Sequence, residues 1–146
     1  MTTAVETLQA AGMQNADAVV RAANDVGLPL GVAVAMIWKE SGGKNVYGHD
    51  SGGAMSGAGE VTEANFKGQF LPAVLAGAIS NGVGLTQITY PGYFRQNPDY
   101  PFWDPYMNAK FGFNILKGYL NGDYSYNNLV AAGSRYNSGS PTGNLT

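Results

Sequence analysis

Residues 31–43 read GVAVAMIWKESGG, an apolar run with one carboxylate, Glu40, at its far end, followed at once by Ser41, Gly42 and Gly43. A run of this length predicts a buried helix over Leu30 to Glu40, which the glycine pair stops. Glu40 then stands between a core and a loop. Burial disfavours the charged form of a carboxyl group, and the negative end of the helix dipole pushes the same way. These are the conditions under which a carboxylic acid keeps its proton and acts as a general acid.

The flanking segments carry helix punctuation. Thr3 to Glu6 fits a capping box that opens a short helix, and Asn15 precedes the helical run ADAVVRAANDV as its N-cap. Gly27 ends that run before Pro29. After Glu40 comes a Gly-rich loop, SGGKNVYGHDSGGAMSGAGE, and loops of this length in a small domain are usually functional or mobile. Thr62 caps TEANFKGQF, Pro72 is expected to kink or break that helix, and LPAVLAGAIS continues in helical fashion. NGVGLTQITYPGYF reads as a tight turn with a short helical or extended piece, and RQNPDYPFW as an ordered loop. Asp104-Pro105 is a strong start signal for a helix bearing Phe111, Ile115, Leu116 and Tyr119, ending at Asn121-Gly122. A last helix covers about Asn127 to Tyr136. Period-two alternation is scarce, so the expectation is one mainly α domain over residues 1–138, with 139–146 a tail or a linker stub.

Composition removes several functions. The chain has 146 residues, 45% apolar and 12% charged, with a net charge of −2 and no cluster of Lys or Arg. Phosphate backbones are held by basic footprints, so nucleic acid is not an expected partner. With no Cys and one His, His49, neither a thiolate metal site nor a paired-histidine zinc site can be built, and no cofactor is expected. No signal peptide is visible at the N-terminus and no apolar run reaches a membrane span. The 21 Gly, 9 Tyr and many Asn suit either a neutral polar polymer such as a carbohydrate or simply a loop-rich fold.

Three short segments stand out in order: Glu40-Ser41, then Gly84-Leu85-Thr86-Gln87-Ile88, then Ser134-Arg135-Tyr136-Asn137-Ser138-Gly139. Together they resemble the lysozyme-like superfamily of lytic transglycosylases and goose-type lysozymes. That superfamily shows a catalytic Glu followed by Ser, a G-L-M-Q-I-like segment and an A-Y-N-A-G-like segment. NVYGHDSGG and RYNSG look most like the glycan-cleaving modules of endolysins from phages of actinobacteria. The resemblance covers about residues 30–139. Thr86 stands where Met is usual, and Arg135 where a small residue is usual. Thr89 stands where a goose-type enzyme often carries an Asp, and Ser51 to Ser80 is longer than the family's segment between the two motifs.

The resemblance implies a lysozyme-like fold, helices around a glycan-binding groove with at most a minimal β element. It implies cleavage of the β-1,4 bond between N-acetylmuramic acid and N-acetylglucosamine in peptidoglycan, by a muramidase or lytic transglycosylase without a metal. Glu40 is the expected acid and base, and Asp50 the candidate second carboxylate, with a turn-forming Asp as the plain alternative. Ser41, Gln87, Thr89, Tyr136 and Asn137 are the expected glycan contacts, Tyr136 orienting the acid. Tyr90, Tyr93, Phe94 and Trp103 are candidates for stacking on sugars, whereas Trp38, inside the apolar run, is expected in the core. The implied setting is a monomeric endolysin held in the host cytoplasm until lysis and then acting on the wall, with further modules beyond the linker stub. The other class that these residues allow is a non-catalytic peptidoglycan-binding or virion assembly module.

Overall fold

The computed structural model describes residues 1–138; the expected tail lies outside the described residues. The domain is mainly α, and its extended pairing, among the described residues, is limited to isolated bridges joining Val46 to Glu60, Tyr47 to Val83 and Val83 to Ile88. In chain order the elements are α1 (Ala4–Ala10), α2 (Ala16–Val26), α3 (Leu30–Glu40), α4 (Glu63–Asn65), a π-helical turn (Phe66–Phe70), α5 (Leu71–Leu75), α6 (Pro91–Gln96), α7 (Pro105–Leu120) and α8 (Tyr126–Ser138).

Most boundaries follow from capping chemistry. Thr3 Oγ1 accepts from the Glu6 amide at 3.1 Å and Asp104 from the Met107 amide at 2.9 Å. Thr62 and Asn65 form a reciprocal capping box. Gly27 closes α2 in the left-handed region, φ 79°, with its amide bonded to the Ala23 carbonyl. Asn15 behaves otherwise than expected. It takes φ 55° and makes no side-chain cap; its amide instead donates to the Gly43 carbonyl at 2.8 Å. The turn before α2 is thereby tied to the loop that leaves Glu40.

Pro72 does not break its helix. An α-helical register would require an amide hydrogen that proline lacks, and the chain widens by one residue just before it, Leu71 donating to the Phe66 carbonyl five positions back. The helix then stops at Leu75, short of the LPAVLAGAIS continuation, because Ala76 and Gly77 (φ 104°) turn the chain away.

Two apolar cores result. The first joins α1, α2, α3, α7 and α8. On α2, Val19, Ala22, Ala23 and Val26 recur at helical spacing and meet Ala109, Phe113, Leu116 and Leu120 of α7, the most extensive helix pair. Each large side chain so buried contributes roughly 1.5–3 kcal/mol. The spine of the domain is therefore α7. Of α3, expected to be buried, only Ala33, Met36 and Ile37 are fully inside, and Trp38 is 43% exposed. The second core is aromatic: Tyr47, Phe66, Phe70, Phe94 and Phe102 pack with Val61, Val74, Val83 and Ile88. Phe70 and Phe94 meet edge to face with centroids 5.1 Å apart. Residues 51–80 supply Met55, Phe66, Phe70, Leu71 and Val74 to this core, so the long segment between the motifs is the body of a second lobe.

Candidate active site

A groove of about 600 Å³ runs between the two cores, within the size range of small-ligand sites. From α3, α7 and α8 come Glu40, Ile115, Tyr119, Arg135, Tyr136 and Asn137; from the loops and α6 of the aromatic lobe come Asp50, Gln87, Thr89, Tyr90 and Tyr93. Of the seven expected site residues, six line this space. Ser41 does not, because its hydroxyl is spent on backbone: Oγ donates to the Leu85 carbonyl at 2.7 Å and accepts from the Gly43 amide at 3.0 Å.

Glu40 is the last residue of α3 and is half-buried. Its pKa is raised above the usual carboxylate value. Burial is the main cause; the Lys39 ammonium next to it pulls the pKa down, and the negative charge of Asp50 pushes it up. Glu40 therefore senses the charge of Asp50, and both side chains line the groove. Asp50 Oδ2 accepts from the Gly82 amide at 2.7 Å, which fixes the carboxylate against the opposite lobe. Its own carbonyl accepts from Gly53, so Asp50 is also the turn residue that the following Ser51-Gly52-Gly53 suggested.

Gln87 holds a left-handed backbone, φ 51°, uncommon for a residue with a side chain. Its Nε2 donates to the Val46 and Gly84 carbonyls at 3.0 and 2.9 Å. Its Oε1 lies over two glycines, so closely that a Cβ on Gly48 or Gly82 would stand 2.3 or 2.1 Å from it. Both amide hydrogens of Gln87 are thus committed to the fold. The oxygen is the atom left to meet a ligand, as an acceptor.

The turn carrying Gln87 is fixed from below by a fully buried pair, Thr86 and Asn108. Asn108 Oδ1 accepts from the Thr86 amide at 2.9 Å and its hydroxyl at 2.7 Å, while Nδ2 donates to the Val83 and Phe102 carbonyls at 2.9 and 3.0 Å. Gly112, one turn further along α7, lets Thr86 sit on the helix; a Cβ there would be 2.4 Å from the Thr86 side chain. Thr86 is thus a buried anchor. Neither Asn108 nor Gly112 was singled out from sequence, although a polar and a glycine residue four apart on one helix face signal a close approach.

Tyr136 closes the ring of contacts. Its hydroxyl donates to the Thr86 carbonyl, docking α8 on the same turn. Its pKa is raised strongly, mainly by burial, with the negative charge of Glu40 adding to the effect. Tyr136 is therefore a neutral phenol beside the acid, with its proton directed to the backbone. Thr89 is exposed, its hydroxyl donating to the Gln87 carbonyl.

Among the aromatic candidates, Tyr90 and Tyr93 line the groove, their rings edge to face at 5.1 Å. Phe94 is fully buried, and Trp103 packs on Phe66 under the Lys67 ammonium, away from the groove. Glu63 is where a first-turn carboxylate belongs and pairs with Lys67 at 2.5 Å. Among the described residues no three His, Cys, Asp or Glu side chains gather in a way that could hold a metal ion, and no helix is long and apolar enough to cross a membrane.

No family model, curated protein or solved structure matches the chain.

Proposed function

We propose that this domain is a lysozyme-like glycosidase that cleaves the β-1,4 bond between N-acetylmuramic acid and N-acetylglucosamine in peptidoglycan, in the setting of phage-induced lysis of the host. The observation that carries the reading is Glu40: a carboxyl group with a raised pKa, on the wall of an open groove, facing a second carboxylate. The neutral phenol of Tyr136, the acceptor oxygen of Gln87 and the exposed ring of Tyr90 suit an uncharged polyhydroxylated strand better than a flat or basic surface would.

In this reading the Glu40 carboxyl donates its proton to the bridging oxygen as the C1–O bond of the muramic residue breaks. Positive charge develops at C1, and Asp50, held by the Gly82 amide, stabilises it from the other lobe. The resulting Glu40 carboxylate then takes the proton of the nucleophile that closes on C1. Water gives a reducing end; the sugar's own 6-hydroxyl gives a 1,6-anhydro ring. In both cases the proton lost to the leaving oxygen is replaced, and the acid is restored.

The test is turbidity clearing of purified walls by the parent and by Glu40→Gln, with circular dichroism as the control for folding. Loss of nearly all clearing in a folded variant supports the assignment, and parental clearing by Glu40→Gln would sink it. Mass spectrometry of the released muropeptides reads out which nucleophile is used.

A further inference from the structure

Arg135 is the one cation among the described residues that line the groove, in a chain with only 8 Lys and Arg. It stands on α8 immediately before Tyr136, and its guanidinium lies over the Tyr119 ring, 5.6 Å from the centroid. That ring and Tyr93 line the same groove. The aromatic contact holds a long, entropically costly side chain in one region while using none of its N–H donors. The carboxylates sharing the groove, Glu40 and Asp50, have other positions and tasks: Asp50 is bonded to the Gly82 amide on the far lobe. An exposed, ring-stacked guanidinium on the wall of the groove that Glu40 lines has the form of a receptor for a planar anion, which it can grip with two parallel hydrogen bonds.

A neutral glycan has no use for such a group, but the substituents that hang from a wall glycan are anionic. Resting on the functional reading above, we propose that Arg135 is the specificity-determining contact for a carboxylate on the peptide borne by the muramic residue, seating that residue next to Glu40. The shared chemistry of an anion at this point could also come from a phosphodiester-linked wall polymer, and the experiment separates the two.

The full chain carrying Arg135→Gln is compared with the parent on three substrates. These are purified walls, walls stripped of phosphodiester-linked polymers with hydrofluoric acid, and walls whose carboxylates are amidated with a carbodiimide and methylamine. The expected result is a KM about tenfold higher for Arg135→Gln on the first two, with the loss falling on KM rather than kcat. On amidated walls the parent falls to the level of the variant, and Arg135→Lys lies between them because a point charge replaces the fork. A loss that disappears on acid-stripped walls assigns the anion to phosphate and overturns the carboxylate. A parental KM on intact walls overturns the proposal altogether. Co-sedimentation of walls with Glu40→Gln and with Glu40→Gln/Arg135→Gln measures the same contact without turnover. Failure of the Arg135 contact therefore stays distinguishable from failure of the glycosidase reading, and a wall-binding difference that leaves the melting temperature unchanged excludes a merely structural role.

Discussion

Ser41 Oγ donates to the carbonyl of Leu85 at 2.7 Å, joining the residue after Glu40 to the turn that carries Gln87. The same oxygen accepts from the Gly43 amide, which holds the glycine pair at the end of α3 in its tight exit. Ser41 thus ties the end of α3 to the turn bearing Gln87 without lining the groove, and in the proposed enzyme it would position Glu40. Ser41→Ala leaves the Leu85 carbonyl short of a donor and costs about 1 kcal/mol, a fall of about 2–4 °C in melting temperature. Displacement of an acid by a fraction of an ångström is felt mainly in the chemical step, so kcat is expected to fall about tenfold or more with KM little changed. A variant with parental kcat would show that the bond stabilises the fold and nothing else.

The buried Thr86–Asn108 pair makes a sharper prediction, because its two partners fail differently. Asn108→Ala strands the Thr86 amide and the Phe102 carbonyl in the interior, at about 1–3 kcal/mol for each group, while the Val83 carbonyl keeps the Ile88 amide. Thr86→Val removes only the hydroxyl and leaves Asn108 Oδ1 satisfied by the Thr86 amide, at about 1 kcal/mol. Urea denaturation of the two variants is expected to rank them in that order, with Asn108→Ala losing at least twice as much. Equal losses would mean that the network holds the turn no better than the packing of Gly112 does.

The helices were legible wherever local chemistry decides them. Thr3, Thr62, Asp104-Pro105, Gly27 and Asn121-Gly122 act through neighbours three or four positions away, and each does in the structure what its residue type dictates. Long-range relationships were not legible in the same way. Asn15 gives up capping to hold Gly43, a partner 28 residues distant. Trp38 belongs to an apolar run yet stays on the surface, because α7 takes the central place that hydropathy alone assigned to α3. Residues 51–80 read as an insertion because their aromatic partners, Phe94 and Phe102, arrive later in the chain. Within the site, Glu40, Asp50, Gln87, Thr89, Tyr136 and Asn137 do converge on one groove. Arg135 and Tyr119 were recognisable only once α7 and α8 had been brought side by side.

The two charges that act on Glu40 have opposite signs, and the pH dependence of cleavage should follow them. A general acid works while protonated, so the alkaline limb of the kcat profile reports its pKa in the complex. Asp50→Asn removes a charge that raises the pKa of Glu40, and the limb moves to lower pH. Lys39→Gln removes one that lowers it, and the limb moves to higher pH. Rates measured from pH 4 to 8 in constant ionic strength check both. A limb that moves the same way in the two variants would mean that a group other than Glu40 is being titrated.

Glu40 should also reveal itself in stability, without any substrate. Its pKa is raised in the folded state, chiefly by burial, so the folded domain binds this proton more tightly than the unfolded chain does. The resulting stabilisation is fully present below the unfolded pKa and is lost as pH rises through the folded one. Glu40→Gln replaces the acid by a neutral group of the same shape and removes that dependence. The melting temperature of Glu40→Gln is therefore expected to rise relative to the parent as pH increases from about 4 to 7, so that the variant gains stability at neutral pH while losing catalysis. Thermal melts of the two proteins across this range measure the difference directly. A gap between them that stays constant with pH would mean that burial does not disfavour the Glu40 carboxylate, and the physical basis for its role as a proton donor would fall with it.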